Sequence, residues 1–141
     1  MVGQSIIGFY DGRDLYVYDP QSARITQNIV DDNYTAALMV HFPGGLGFYD
    51  GDDLIVYDLA KRRFYSNFAY DNYAGAALAA FQNGVLFYDG DDVYAYCNGS
   101  FGRQSADNGL IGKVIGRGPI ARGLAVGNTI FRLTKDCKIQ N

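Results

Sequence analysis

The sequence predicts an all-β protein built as a tandem repeat of about 39 residues. Three observations predict it. The phrase Phe-Tyr-Asp-Gly stands at Phe9–Gly12, Phe48–Gly51 and Phe87–Gly90, each copy 39 residues after the last. All fifteen acidic residues are Asp and none is Glu, and Asp favours turns where Glu favours helix. Twelve Tyr and nine Phe stand beside eighteen Gly, a mixture suited to strands joined by tight turns.

Residues 7–45 align with 46–84 without a gap, giving 18 identities in 39 positions. A third copy starts at Val85 and keeps Phe87, Tyr88, Asp89, Gly90, Asp92 and Tyr96 before diverging after about Asn108. A worn fourth copy follows, in which Gly127–Phe131 lines up with Asn83–Phe87 at a displacement of 44. Five extra residues in the Gly-rich stretch Gly112–Gly123 account for the offset.

Each copy reads as four short strands. The first is apolar (Ala36–Phe42, Ala76–Phe81, Gly123–Val126) and ends at Pro43-Gly44-Gly45, Asn83-Gly84 or Gly127-Asn128. Asn-Gly is a strong hairpin signal because the turn needs positive φ at both central residues. The second strand ends in Phe-Tyr, and Asp-Gly turns it into the third, Leu54–Tyr57 or Val93–Tyr96. A longer loop such as Asp58–Arg62 leads to the fourth, Arg63–Phe68, and Asp-Asn-Tyr connects to the next copy.

A repeated four-stranded antiparallel meander of this length is the signature of a β-propeller blade. The phrases Leu15–Pro20 and Leu54–Leu59 resemble the third strand of kelch blades and are similar to quinoprotein-type blades. The double glycine and the tryptophan of kelch copies are missing. The resemblance therefore implies a small β-propeller-like blade fold and carries over no active site. The rival is a β-trefoil, against which the fourth hairpin at Ile130-Phe131 counts. The chain opens on a second strand and closes on a third, fourteen strands in all, so two chains supply seven blades' worth. A homo-oligomer, a dimer closing a shared ring, is expected.

At 141 residues the chain is one domain long, 1–141, with 48% hydrophobic residues, enough to bury a core. Its longest apolar runs fall short of the roughly 18 residues of a membrane span. The start lacks the basic and long apolar regions of a signal peptide, so a cytoplasmic location is expected. In that setting Cys97 and Cys137 are expected as free thiols. Residues 1–100 hold thirteen Asp against five Lys or Arg, a net of −8, and residues 101–141 hold two against seven, a net of +5. Opposite fields of this kind steer subunits head to tail, unless the asymmetry is only that of a solvated surface. Nucleic-acid binding is excluded by the acidic excess.

Four features compete for a functional role. The Asp-rich clusters Asp50–Asp53, Asp89–Asp92 and Asp11–Asp14 have carboxylates enough for Ca²⁺, but their spacing is that of a hairpin turn, and Arg13 replaces Asp52 in the first copy. Turn chemistry is expected there, with no metal and no cofactor. The aromatic pairs Phe9/Tyr10, Phe48/Tyr49 and Phe87/Tyr88, with Tyr18, Tyr57 and Tyr96, are expected in the cores between blades rather than as sugar platforms. His41, the single histidine, is read as structural. The Gly112–Gly123 segment lacks the Gly-Lys-Ser/Thr ending of a phosphate-binding loop and is read as a flexible connection. Asp32, Asn33, Tyr34, Asp71, Asn72 and Tyr73 fall in blade-to-blade connections, where such folds bind ligands, and are the expected ligand-binding residues. The expected function is non-catalytic, a binding or assembly module making multivalent protein contacts or associating with itself. The alternative is a glycan-binding lectin using Tyr, Asp and Asn of the rim.

Overall fold

The structure is a computed structural model and describes residues 6–29, 36–68 and 73–141. Within them the fold is all-β, fifteen strands in four antiparallel sheets with no helix. Sheet 1 is β1 (Ile7–Tyr10), β2 (Asp14–Asp19) and β3 (Arg24–Ile29). Sheet 2 is β4 (Leu38–Phe42), β5 (Gly45–Tyr49), β6 (Asp53–Asp58) and β7 (Arg63–Phe68). Sheet 3 is β8 (Ala77–Phe81), β9 (Gly84–Tyr88), β10 (Asp92–Cys97) and β11 (Ser100–Ser105). Sheet 4 is β12 (Gly112–Ile115), β13 (Gly123–Val126), β14 (Thr129–Leu133) and β15 (Ile139–Gln140). Neighbours in the sequence are neighbours in each sheet. No barrel of the kind a trefoil requires is closed by these strands.

The turns explain the repeat. In each Phe-Tyr-Asp-Gly phrase the Asp carboxylate folds over its own hairpin. Asp50 Oδ1 accepts the backbone N–H groups of Asp52 at 2.9 Å and Asp53 at 2.7 Å. Asp11 does the same for Arg13 and Asp14, and Asp89 for Asp91 and Asp92. The glycines of these turns, Gly12, Gly51 and Gly90, lie at φ 91°, 94° and 97°, a region that side chains strain to enter. The turn between first and second strands is two residues long, with Phe42 facing Gly45 and Phe81 facing Gly84. Gln82-Asn83 therefore makes the turn, one residue earlier than the Asn-Gly signal implies.

Three apolar cores lie between consecutive sheets. Because side chains alternate across a strand, Phe48 and Phe87 face the sheet before their own, and Tyr10, Tyr49 and Tyr88 the sheet after. Phe48, 1% exposed, packs towards sheet 1, and Tyr49 towards sheet 3. Phe87 meets Tyr49 at 4.6 Å between ring centroids, and Phe48 meets Tyr10 at 4.9 Å. The expected role as core thus holds for Phe48, Tyr49, Phe87 and Tyr88, all fully buried, and for Tyr57 and Tyr96. It does not hold for Phe9 and Tyr18, which are exposed because no sheet of the chain covers that side of sheet 1.

Two further expectations are corrected. The Gly112–Gly123 segment is not merely a connection, since its first residues form β12 and pair with β13 through Lys113↔Ala125 and Val114↔Leu124. The fourth sheet thereby gains a strand that the repeat does not contain. The two cysteines are not free thiols. Stacking sheet 3 on sheet 4 brings the Cα atoms of Cys97 and Cys137 to 5.6 Å, and they form a disulfide, within the usual bridging range.

Candidate functional site

Of the six expected ligand-binding residues, Asp32, Asn33, Tyr34, Asp71 and Asn72 lie outside the described residues. Tyr73 lies within them, and it is used internally. Its backbone N–H donates to the Tyr49 hydroxyl at 3.2 Å, and its own hydroxyl donates to the Leu110 carbonyl. Its ring stands edge-on to Tyr88, centroids 6.0 Å apart. Tyr88 in turn donates to the Asp107 carbonyl at 2.7 Å and accepts from the Leu110 N–H at 3.1 Å. Burial, with Tyr73 and Asp89 nearby, raises the Tyr88 phenol despite that N–H. This network fastens the 106–111 segment, and a shallow depression of about 400 Å³ opens beside it, lined by Tyr73, Gly90, Asp91, Asn108 and Gly109.

His41 is at the surface, and its Nε2 accepts the Gly8 N–H at 3.3 Å across the first seam. Partial burial lowers its pKa, in keeping with a neutral acceptor.

A repeated position outside the expected site residues ties the sheets together. Asp19, Asp58 and Cys97 are spaced by 39 residues and end the equivalent strands β2, β6 and β10, the third of each repeat. Each fastens its sheet to the next by a different bond. Asp19 Oδ2 accepts from Arg62 Nη1 at 2.8 Å. Burial pushes the Asp19 carboxyl up, but Ser22, the Gln21 N–H and the Arg62 charge outweigh it and hold it below the usual carboxylate range. Asp58 Oδ2 accepts from the buried Tyr96 hydroxyl at 2.6 Å, and burial together with this carboxylate raises the phenol pKa. Cys97 takes the covalent form. The 39-residue step from Asp58 to Cys97 was the available signal for an inter-sheet link.

The exposed surface is uneven in an informative way. Among the described residues, every large apolar side chain that is exposed belongs to sheet 1 or to sheet 4 with its leading segment: Ile7, Phe9, Tyr18 and Ile25, and Ile111, Val114 and Ile130. On sheet 1 they share one face, because Ile7 pairs with Tyr18, Tyr18 with Ile25 and Phe9 with Tyr16. The repeat gives that face its meaning. Thirty-nine residues on, Ile7, Phe9, Tyr16, Tyr18 and Ile25 become Leu46, Phe48, Ile55, Tyr57 and Phe64. Those residues form the side of sheet 2 that packs under sheet 1. In sheet 3 the corresponding Val85, Phe87, Tyr94 and Tyr96 pack under sheet 2. Phe9 is 60% exposed and Ile25 68%, where Phe48 is 1%. Sheet 1 has the side chains for a preceding sheet to rest on.

No helix among the described residues is long and apolar enough to cross a membrane. Comparison with known proteins finds no matching family model, curated protein or solved structure.

Proposed function

We propose that this protein is a non-catalytic binding and assembly module, a small β-propeller-like array of blades whose working surface is the outer face of sheet 1. One observation carries the reading: Ile7, Phe9, Tyr16 and Tyr18 repeat, position for position, a face that is covered by another sheet in each of the next two copies, and Ile25 repeats the partly buried Phe64 of the second copy. A contiguous apolar and aromatic face of this kind is a docking surface. Its complement is the side of another β-sheet, since that is what the same residues receive inside the chain. The kelch-like and quinoprotein-like third strands and the stacked four-stranded sheets support the blade reading.

Sedimentation velocity of the wild type beside Phe9→Asp/Ile25→Asp tests it. The wild type is expected to sediment above its single-chain mass of 15.5 kDa, and the double variant at that mass with an unchanged thermal melt. Equal sedimentation of the two would sink the reading. The cytoplasmic setting expected from the sequence stands against the Cys97–Cys137 disulfide, a bond that persists in oxidising compartments. Counting alkylated cysteines by mass in protein trapped with an alkylating agent at lysis decides between them: two for the cytoplasm, none for an oxidising compartment.

A further inference from the structure

We infer that the outer face of sheet 1 is covered by the outer face of sheet 4 of a second copy of this chain, so that copies join head to tail. The inference rests on the reading of sheet 1 as a docking face and names its occupant.

Inside the chain, the near face of sheets 2 and 3 is always covered by the far side of the sheet before it. What fits sheet 1 is therefore the far side of a sheet of this same repeat. The far sides of sheets 1, 2 and 3 are occupied by the cores that follow them. The far side of sheet 4 is at the surface. By strand alternation and pairing it carries Lys113 and Ile115 on β12, Ala125 on β13, and Ile130 and Arg132 on β14. Its apolar centre is Ile130 and Ala125, with Ile111 exposed just ahead of β12. A depression of about 480 Å³ beside Leu110, Ile111, Lys113 and Ala125 gives it relief.

Position and charge agree. Tyr10 and Tyr49 project from the far sides of sheets 1 and 2 onto Phe48 and Phe87. Arg132 stands 44 residues after Tyr88, the displacement of the fourth copy, and so holds the place of those tyrosines. In the head-to-tail contact it reaches Phe9, and a guanidinium over an aromatic face is favourable. Residues 112–141 carry six Lys or Arg against one Asp, and residues 6–29, which hold sheet 1, carry three Asp against two Arg. The approaching ends therefore attract. A contact between two different faces repeats until it closes or runs on as a filament. Two chains bring eight sheets, within the usual four to eight blades of a closed ring, so a closed pair is expected.

The test pairs Phe9→Asp, which spoils sheet 1, with Ile130→Asp, which spoils sheet 4. Each variant alone is expected to associate roughly tenfold or more weakly than wild type. An equimolar mixture of the two is expected to form a one-to-one pair, because each chain supplies the face the other lacks. Neither misfolding nor contact between two sheet 1 faces produces that rescue. Loss of association in Phe9→Asp but not in Ile130→Asp, or a mixture that stays as single chains, overturns the head-to-tail contact and leaves the sheet 1 reading standing. A wild type that stays single-chain and unaffected by either substitution overturns both.

Discussion

Reducing the Cys97–Cys137 bond isolates one seam of the stack. The two cysteines are 40 residues apart in sequence. In the chain-entropy description, a loop of that length withholds about 13 cal/mol/K from the unfolded ensemble, or about 4 kcal/mol at room temperature. With the usual unfolding entropy per residue, that is a fall in Tm of roughly 10–15 °C for a chain of this size. Differential scanning calorimetry of the wild type with and without reductant, beside Cys97→Ala/Cys137→Ala, measures it. The double variant is expected to melt near the reduced wild type and to ignore reductant. Hydrogen exchange should place the loss in sheets 3 and 4 first, because the bond joins β10 to the turn before β15. A loss below about 1 kcal/mol, or two titratable thiols in the unreduced protein, would refute the reasoning. The first result means the unfolded chain keeps that seam closed by itself, and the second that the bond does not form.

Other expectations follow from the remaining seams. Tyr96→Phe leaves the buried Asp58 carboxylate short of a donor and is expected to cost about 1–3 kcal/mol by chemical denaturation. Tyr18→Phe, at the equivalent but exposed place on sheet 1, should cost less than about 0.5 kcal/mol. Gly90→Ala sets a Cβ within 2.9 Å of the Tyr73 ring at φ 97°, an expected loss of about 1–3 kcal/mol. Gly102→Ala meets nothing within 4 Å and should be neutral or slightly stabilising in the same titration. His41 has a lowered pKa because of its burial, so its contribution is whole above about 6.5 and lost as pH falls through the folded value. Tm is expected to drop between pH 7.5 and 5 in the wild type, and by less in His41→Gln; equal drops would remove His41 from the account.

What was legible in the sequence was whatever the repeat fixes locally. Asp11, Asp50 and Asp89 each need only three following residues to form their turns, so turn chemistry could be read without the fold. Phe48 and Tyr49 alternate on one strand, and alternation alone sends them to opposite cores. Elements that depend on what lies across a seam were not legible. Cys97 looks like an isolated thiol until it is seen to occupy the place of Asp19 and Asp58. Lys113 and Val114 sit among glycines and show strand character only through their pairing with β13. Phe9 and Phe48 are indistinguishable in sequence; only the stacking order leaves one bare and the other buried. Asp-Asn-Tyr is marked only by its loop position, whereas Tyr73 is tied down by Tyr49 and Leu110, contacts that no local sequence feature reports.

The series Asp19, Asp58 and Cys97 gives each joint of the stack its own solvent variable. The first joint is an ion pair whose Arg62 side chain is half exposed, so added salt weakens it. The second is a phenol–carboxylate contact buried away from the medium, which moderate salt and reductant leave alone. The third answers to redox potential and to little else. A single chain can thus be loosened at either end independently while its middle holds. Sheet 1, which carries the bare aromatic face, is the leaf whose attachment ionic strength weakens, its apolar core with sheet 2 remaining.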